Sequence, residues 1–433
     1  MKIRTLDSNI SVPDINQINQ LRALHWHTLH CELVTPLYGG GVKAATIDKE
    51  MPIRVSTIRG QLRFWWRLLA KHKADWGFNG DLGAIRQAES RLWGGTGNEV
   101  HASLVFLKVT NTSKSDSEKW AEFRRNQNTN RYRGLPYPKD WADVPYVLFP
   151  AQGKTSPDRI EEEPKELIKA GLTWQLHLAL AKNINEQQTH QVWEAIRWWA
   201  NFGGLGARTR RGLGAVQVTG QHITPITAVE AQAIGCQLIL RPQSNSSYTA
   251  WKDSVDQLKD FRQGHSVGVQ KIEVGRNKGD EPHQPGRSRW SEPDAIRNTV
   301  NQRSDRHARR VTQGDYFPRA AFGLPIIFKF KDDGNSRTDE PAQSLLQPIV
   351  NGGLEERMAS PLILRPYFNG RGWQAAALRL PHQHVNDLQL KLIQGNRSFN
   401  VEYWDRAQAE NIRPIHAQDG TDALSAFLNY FGN

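Results

Sequence analysis

Between residues 172 and 218 the apolar residues change their spacing once, and that change constrains the fold more than any other feature of the chain. Leu172, Trp174, Leu176, Leu178 and Leu180 alternate strictly. A period of two puts all five on one face, the signature of a strand with one buried side. From about residue 188 to 202 the spacing becomes helical, with a tryptophan-rich stretch over 192–202. The helix runs into Gly203-Gly204-Leu205-Gly206-Ala207-Arg208-Thr209-Arg210-Arg211-Gly212-Leu213-Gly214, and 215–218 reads as a further strand. Strand, helix, glycine-rich turn and strand follow one another with no room for another fold element.

The upstream residues supply the matching half. Residues 28–34 alternate, with Leu29, Cys31 and Leu33 on one face, and predict a strand. Ser56 or Thr57 can cap a helix over 58–72, and Asp81 a second helix that Gly94-Gly95 ends. Residues 101–109 read as a strand. Residues 110–171 are polar and broken by prolines and glycines, and read as an insertion holding a short strand at 146–149. The order is βαββαβ with one extra helix, the plan of ferredoxin-like and RRM-type domains. The second half offers strands at 236–240, 324–330, 361–366 and 373–380, helices at 248–261 and 423–431, and a polar arginine-rich loop or arm over 264–310. The expectation is an α+β protein of two tandem ferredoxin-like domains with insertions, over residues 1–225 and 226–433.

Charge narrows the function. The chain has 433 residues and a net charge of +12, which favours a polyanionic partner, nucleic acid before membrane. Its two cysteines, Cys31 and Cys236, lie far apart in apolar runs, so buried free thiols in a reducing cytoplasm are expected rather than a disulfide or zinc framework. The first 33 residues hold no uninterrupted apolar run, so no signal peptide is expected, and no run is long enough to span a bilayer.

Three basic constellations are candidates for the anion. The glycine-rich turn carries Gly206, Arg208, Arg210 and Arg211. Its glycines permit close backbone approach, and its guanidinium groups match phosphate in a planar fork. On the helix over 58–72, Arg59, Arg63, Arg67 and Lys71 recur every four residues as one same-sign stripe. Such a row is self-repelling and needs an acceptor. Either a nucleic-acid backbone or acids from other segments would serve, and for Arg59 an internal pair is an equal reading. Before that helix, Tyr38-Gly39-Gly40-Gly41 offers a ring for stacking and backbone N–H groups for phosphate. A third region, 287–319, includes Arg306, Arg309 and Arg310, either as a solvated run or as an arm that orders on RNA.

No catalytic motif stands out. His25, His27 and His30 cluster around the first strand without an evident partner, and are read as structural or surface groups. The glycine patterns do not follow a strand and open a helix, so no dinucleotide site is expected. No cofactor or metal is expected.

Several segments resemble a known family. Residues 35–41 (TPLYGGG), 58–67 (IRGQLRFWWR), 88–94 (AESRLWG) and the two Gly-Leu-Gly units at 204–206 and 212–214 are similar to RAMP proteins, the RNA-binding subunits of CRISPR effectors, and among them to the first subunit of the type III-B (Cmr) complex. The resemblance is good over 28–218 and looser beyond, through 318–325 and 360–366. It implies tandem ferredoxin-like domains and a place at the head end of a ribonucleoprotein. There the chain would contact guide RNA and single-stranded target RNA beside other RAMP subunits, binding rather than cutting. Histidine-dependent processing of guide precursors and a purely structural cap are the alternatives.

Overall fold

The strand expected at 28–34 is β1 (Trp26–Leu33), in which Leu29, Cys31 and Leu33 are buried and the residues between them exposed. The structure is a computed structural model that describes residues 16, 24–95, 100–264, 267, 288–302, 315–330, 340–382, 389–401 and 412–433. After β1 come α1 (Val55–His72), α2 (Leu82–Trp93), β2 (Val105–Thr110), β3 (Thr173–Leu180), α3 (Glu186–Phe202) and β4 (Val216–Thr219). Asp81 caps α2 by accepting from the backbone N–H groups of Gly83 and Ala84, and Asn185 forms a capping box with Gln188 at the start of α3. The four strands make one antiparallel sheet in the order β4-β1-β3-β2. This is the fourth–first–third–second order that a βαββαβ chain takes when both crossovers place their helices on one face.

The tryptophans fill the space between α1 and α3. Trp65 meets Trp198 at 5.8 Å and Phe202 at 6.2 Å between ring centroids. Each such buried ring contributes on the order of 2–3 kcal/mol. Both cysteines are buried and free.

A second antiparallel sheet comes from β5 (Gln237–Ser244), β6 (Leu362–Phe368) and β7 (Trp373–Arg379), in the order β5-β7-β6. Helix α4 (Ser247–Gln263) follows β5, and α5 (Ala423–Gly432) follows β7. The first–third–second order of the first sheet recurs, and among the described residues no strand takes the fourth place. Both faces of this sheet are covered. Leu238, Ile363, Tyr367, Ala376 and Leu378 join the core built on α1 and α3, with Tyr367 stacked on Phe202 at 5.8 Å. Leu362, Leu364, Ala375 and Ala377 join a separate core with α4 and α5. The layers are therefore sheet, helices, sheet, helices, and the first sheet keeps one polar face open, with Thr28, His30 and Thr219 exposed.

Three expectations need correction. Residues 146–149 are not a strand: Pro145–Leu148 is a helical turn continued by a 3-10 turn at Phe149–Ala151. Proline at the first helical position presets the backbone, and Pro150 lacks the N–H that a strand would pair. The stretch expected as a loop or arm contains a helix, Glu292–Val300. The second half also holds strands at Ser344–Val350, Gln389–Gln394 and Arg397–Val401, which join Ile326–Phe328 in a sheet of their own. Within 110–171, short hairpins surround a small core of Trp120, Val147, Leu148 and Leu167 that packs on Tyr38, Leu213 and Trp251. No helix among the described residues is long and apolar enough to cross a membrane.

Candidate nucleic-acid interface

The two glycine-rich segments, far apart in sequence, lie against each other. The Ala207 N–H donates to the Tyr38 carbonyl at 2.7 Å, and the Gly214 N–H to the Pro36 carbonyl at 2.8 Å. The buried Thr35 hydroxyl donates to the Gly212 carbonyl at 2.6 Å and accepts from the Ala215 N–H at 2.8 Å. This approach is why Gly206 must be glycine. Its φ is +77°, and a Cβ there would stand 2.5 Å from the Tyr38 carbonyl oxygen.

The three arginines of the turn divide. Arg211 points inward, donating to the carbonyls of Leu362 (2.9 Å) and Phe322 (3.0 Å) and to the Ser360 hydroxyl at 3.1 Å. Burial pushes its pKa down to about 9, still above neutral pH, so it remains charged. Arg210 donates to the Ser360 carbonyl and lies over the Phe64 ring, 5.7 Å from its centroid. Arg208 alone is exposed. No carboxylate among the described residues pairs with it, and its backbone is left-handed at φ +59°. A non-glycine residue in that region carries strain of order 1 kcal/mol, and such strain gathers at functional sites. Partial burial holds its pKa below the usual guanidinium value, and the phenols of Tyr38 and Tyr146 act in the opposite direction.

The other expected residues fall out as follows. Gly39 and Gly40 border the turn, and a Cβ on Gly39 would meet that of Ala207 at 3.3 Å; Gly41 instead lies against Thr46 and Ile47. Tyr38 is 4% exposed, with its hydroxyl 3.4 Å from the Pro150 carbonyl, so its ring is not available for stacking. The stripe on α1 is mostly answered from within. Arg59 donates to the Ser103 hydroxyl at 2.8 Å and the Val105 carbonyl at 3.0 Å. Arg63 and Arg67 each reach the same oxygen of Glu89 at 2.6 Å, and Glu89 is 6% exposed. The acid that accepts the row thus comes from α2, leaving Lys71 exposed and Arg67 half-exposed. Arg306, Arg309 and Arg310 lie outside the described residues. Of their neighbours, Arg297 pairs with Asp294 and Glu340 at 2.9 Å, and Arg319 with Glu292 at 3.1 Å.

The histidines do not converge on a reactive group. His177 is held between the Thr28 hydroxyl at 3.0 Å and the Thr110 hydroxyl at 2.6 Å. His25 and His27 have rings 4.7 Å apart, and His27 packs edge-on against Trp193 at 5.2 Å. Among the described residues no group of three or more His, Cys, Asp or Glu side chains is placed to hold a metal ion.

Sequence reasoning missed two supports of the turn. Arg365, on the second sheet, donates to the carbonyls of Gly203 at 2.6 Å and Val216 at 3.0 Å. The Trp251 indole N–H donates to the Arg211 carbonyl at 2.8 Å. Neither residue has a local pattern that announces it, because each acts on a segment far away in sequence.

Residues 30–217 match the family model described as the RAMP superfamily, from within β1 to within β4. A curated relative, the CRISPR system Cmr subunit Cmr1-2 of Pyrococcus furiosus, is 25% identical over 200 residues, which are 43% of this chain and 91% of the relative. Among solved structures, the apo crystal structure of Cmr1 from Pyrococcus furiosus aligns at 11% identity with a TM-score of 0.40, covering 87% of this chain and 94% of that one. A chain of the type III-B Cmr-beta complex bound to cognate target RNA aligns at 12% identity with a TM-score of 0.43, covering 95% and 100%. The matched range holds both glycine segments, both crossover helices, β2 and β3 whole and parts of β1 and β4; over residues 30–217 the chain is similar to RAMP-superfamily proteins, and it resembles the first subunit of the type III-B Cmr CRISPR effector complex.

Proposed function

We propose that this chain is a non-catalytic RNA-binding subunit of a type III-B Cmr ribonucleoprotein acting in cytoplasmic antiviral defence. In this reading residues 1–225 and 226–433 are two ferredoxin-like units, the second divergent. The chain sits at the head end, where it meets guide RNA, single-stranded target RNA and other RAMP subunits. The observation that carries the reading is Arg208: an exposed, unpaired guanidinium in left-handed backbone, at the junction of two glycine-rich segments. A cation presented on a strained, braced turn is preorganised for phosphate. Phosphate contacts are blind to sequence, which suits a subunit that must accept any guide.

The test is recovery of a tagged full-length chain from cells that encode it, after ultraviolet crosslinking. Short guide RNA covalently attached to the chain, and co-purifying RAMP subunits, are the expected result. A chain that brings down neither, or that cleaves repeat RNA on its own, overturns the proposal.

A further inference from the structure

Outside the glycine-rich turn, an exposed surface combines aromatic rings with cations that have no carboxylate partner among the described residues. It lies at the tip of the insertion between β2 and β3. From residue 124 to 139 the sequence carries Arg124, Arg125, Arg131, Arg133 and Lys139 and no acid. Arg124 and Arg133 both lie over the Tyr137 ring, at 5.1 and 5.7 Å from its centroid, and Arg125 lies over Tyr132 at 4.8 Å. Glu122 pairs with Arg124, and Lys139 with Glu118. Arg131 and Arg133 are exposed and have no carboxylate partner among the described residues.

Glu122 answers only Arg124 of the two guanidinium groups that share the Tyr137 ring, which leaves Arg133 without a carboxylate among the described residues. The tip is also held in shape. Asn126 accepts from the backbone N–H groups of Asn128 and Thr129, its own N–H donates to the Arg131 carbonyl at 2.8 Å, and Arg125 donates to the Asn130 and Asp158 carbonyls at 3.2 and 3.3 Å. A fixed surface of alternating arginine and tyrosine is the composition that stacks bases and holds the phosphates between them. The base of the same insertion packs on Tyr38 and Leu213, under the turn that presents Arg208.

We propose that residues 124–137 form a second single-stranded RNA site, in which bases stack on Tyr132 and Tyr137 and phosphates bind Arg131 and Arg133. This rests on the RNA-binding reading of the turn and extends it to a separate surface.

The experiment crosslinks the full chain to short bromouridine-substituted RNA and maps the modified peptides. In parallel it measures affinity and salt dependence for Tyr132→Ala and for Arg131→Gln with Arg133→Gln. Expected are crosslinks at Tyr132 or Tyr137 besides those in 203–214. Affinity should fall at least about fivefold for Tyr132→Ala. The salt slope should shrink by roughly 1.4 for the double variant, about 0.7 per phosphate. All four side chains named are surface groups, and the arginine double variant keeps the test decisive if Tyr132→Ala unfolds. Crosslinks confined to 203–214 with unchanged affinity overturn the second site and leave the first standing. Absence of RNA binding by the unsubstituted chain overturns both. Loss of a co-purifying protein in the tip variants, with RNA binding intact, makes the tip a protein dock and also overturns the inference.

Discussion

The Trp251 indole N–H donates to the Arg211 carbonyl oxygen at 2.8 Å, and the same ring fills the space a side chain at residue 212 would need. The glycine-rich turn is therefore moulded onto the first helix that follows β5. A Cβ on Gly212 would stand 2.4 Å from Trp251 Cδ1, and φ there is +79°. Gly212→Ala should combine left-handed strain with overpacking and cost about 2–5 kcal/mol. Trp251→Phe, which keeps the ring but leaves the carbonyl without its donor, should cost about 1–2 kcal/mol. Urea denaturation of both variants checks the order.

A second stability test concerns Glu89. Its buried carboxylate receives Arg63 and Arg67 on one oxygen. Glu89→Gln replaces two charge-assisted bonds with weaker ones and should cost about 1–3 kcal/mol. Arg67→Ala should cost below about 1 kcal/mol, because that side chain is 48% exposed and water screens the pair. Comparable losses for the two variants would show that Glu89 does not anchor the stripe.

Acid should weaken the fold through its histidines. Burial, followed by His25 and His222, holds His27 below the usual imidazole range; burial likewise depresses His72 and His177, with Lys71 and Lys108 as the next causes. Each folded-state value lies below the unfolded one, near 6.5. Above that pH neither state is protonated and nothing changes. As pH falls through 6.5, the unfolded chain gains protons first, so stability drops until the folded-state values are reached and then levels. Melting temperature followed from neutral pH downward should show this decline. His27→Phe, which keeps an aromatic edge toward Trp193, should make it shallower.

The sequence made the fold legible wherever a segment had one buried face. The alternation at 172–180, the cap at Asp81 and the helices α1 and α3 each appear near their expected place, whereas the cap expected at Ser56 or Thr57 does not form, because α1 opens at Val55 after Arg54 with no side-chain cap. Residues 146–149 misled because four apolar residues have no distinguishable period, and the flanking prolines decided the matter. The basic stripe on α1 was visible, but its partner Glu89 lies on another helix, and a row of cations reads the same whether an acid or a phosphate answers it. The arginines of the turn were equally visible. What separated Arg208 from Arg210 and Arg211 was Ser360, Leu362 and Phe322, contributed by residues some 110–150 positions away. The tip of the insertion did carry a local signal, an acid-free stretch with four arginines and two tyrosines, that the larger basic clusters overshadowed.

The central claim is that Arg208, and not Arg210 or Arg211, carries the turn's contact with RNA. The most direct measurement is single-stranded RNA affinity across a salt series for Arg208→Gly beside Arg211→Ala, with melting curves of each. Glycine removes the guanidinium and relieves the left-handed strain, so Arg208→Gly should melt at or slightly above the unsubstituted chain. It should bind RNA of any sequence more weakly, with a salt slope smaller by roughly 0.7. Arg211→Ala should lose about 3 kcal/mol or more of stability by leaving three acceptors without their donor. An Arg208→Gly protein that is folded and binds RNA with unchanged affinity and unchanged slope would contradict the account.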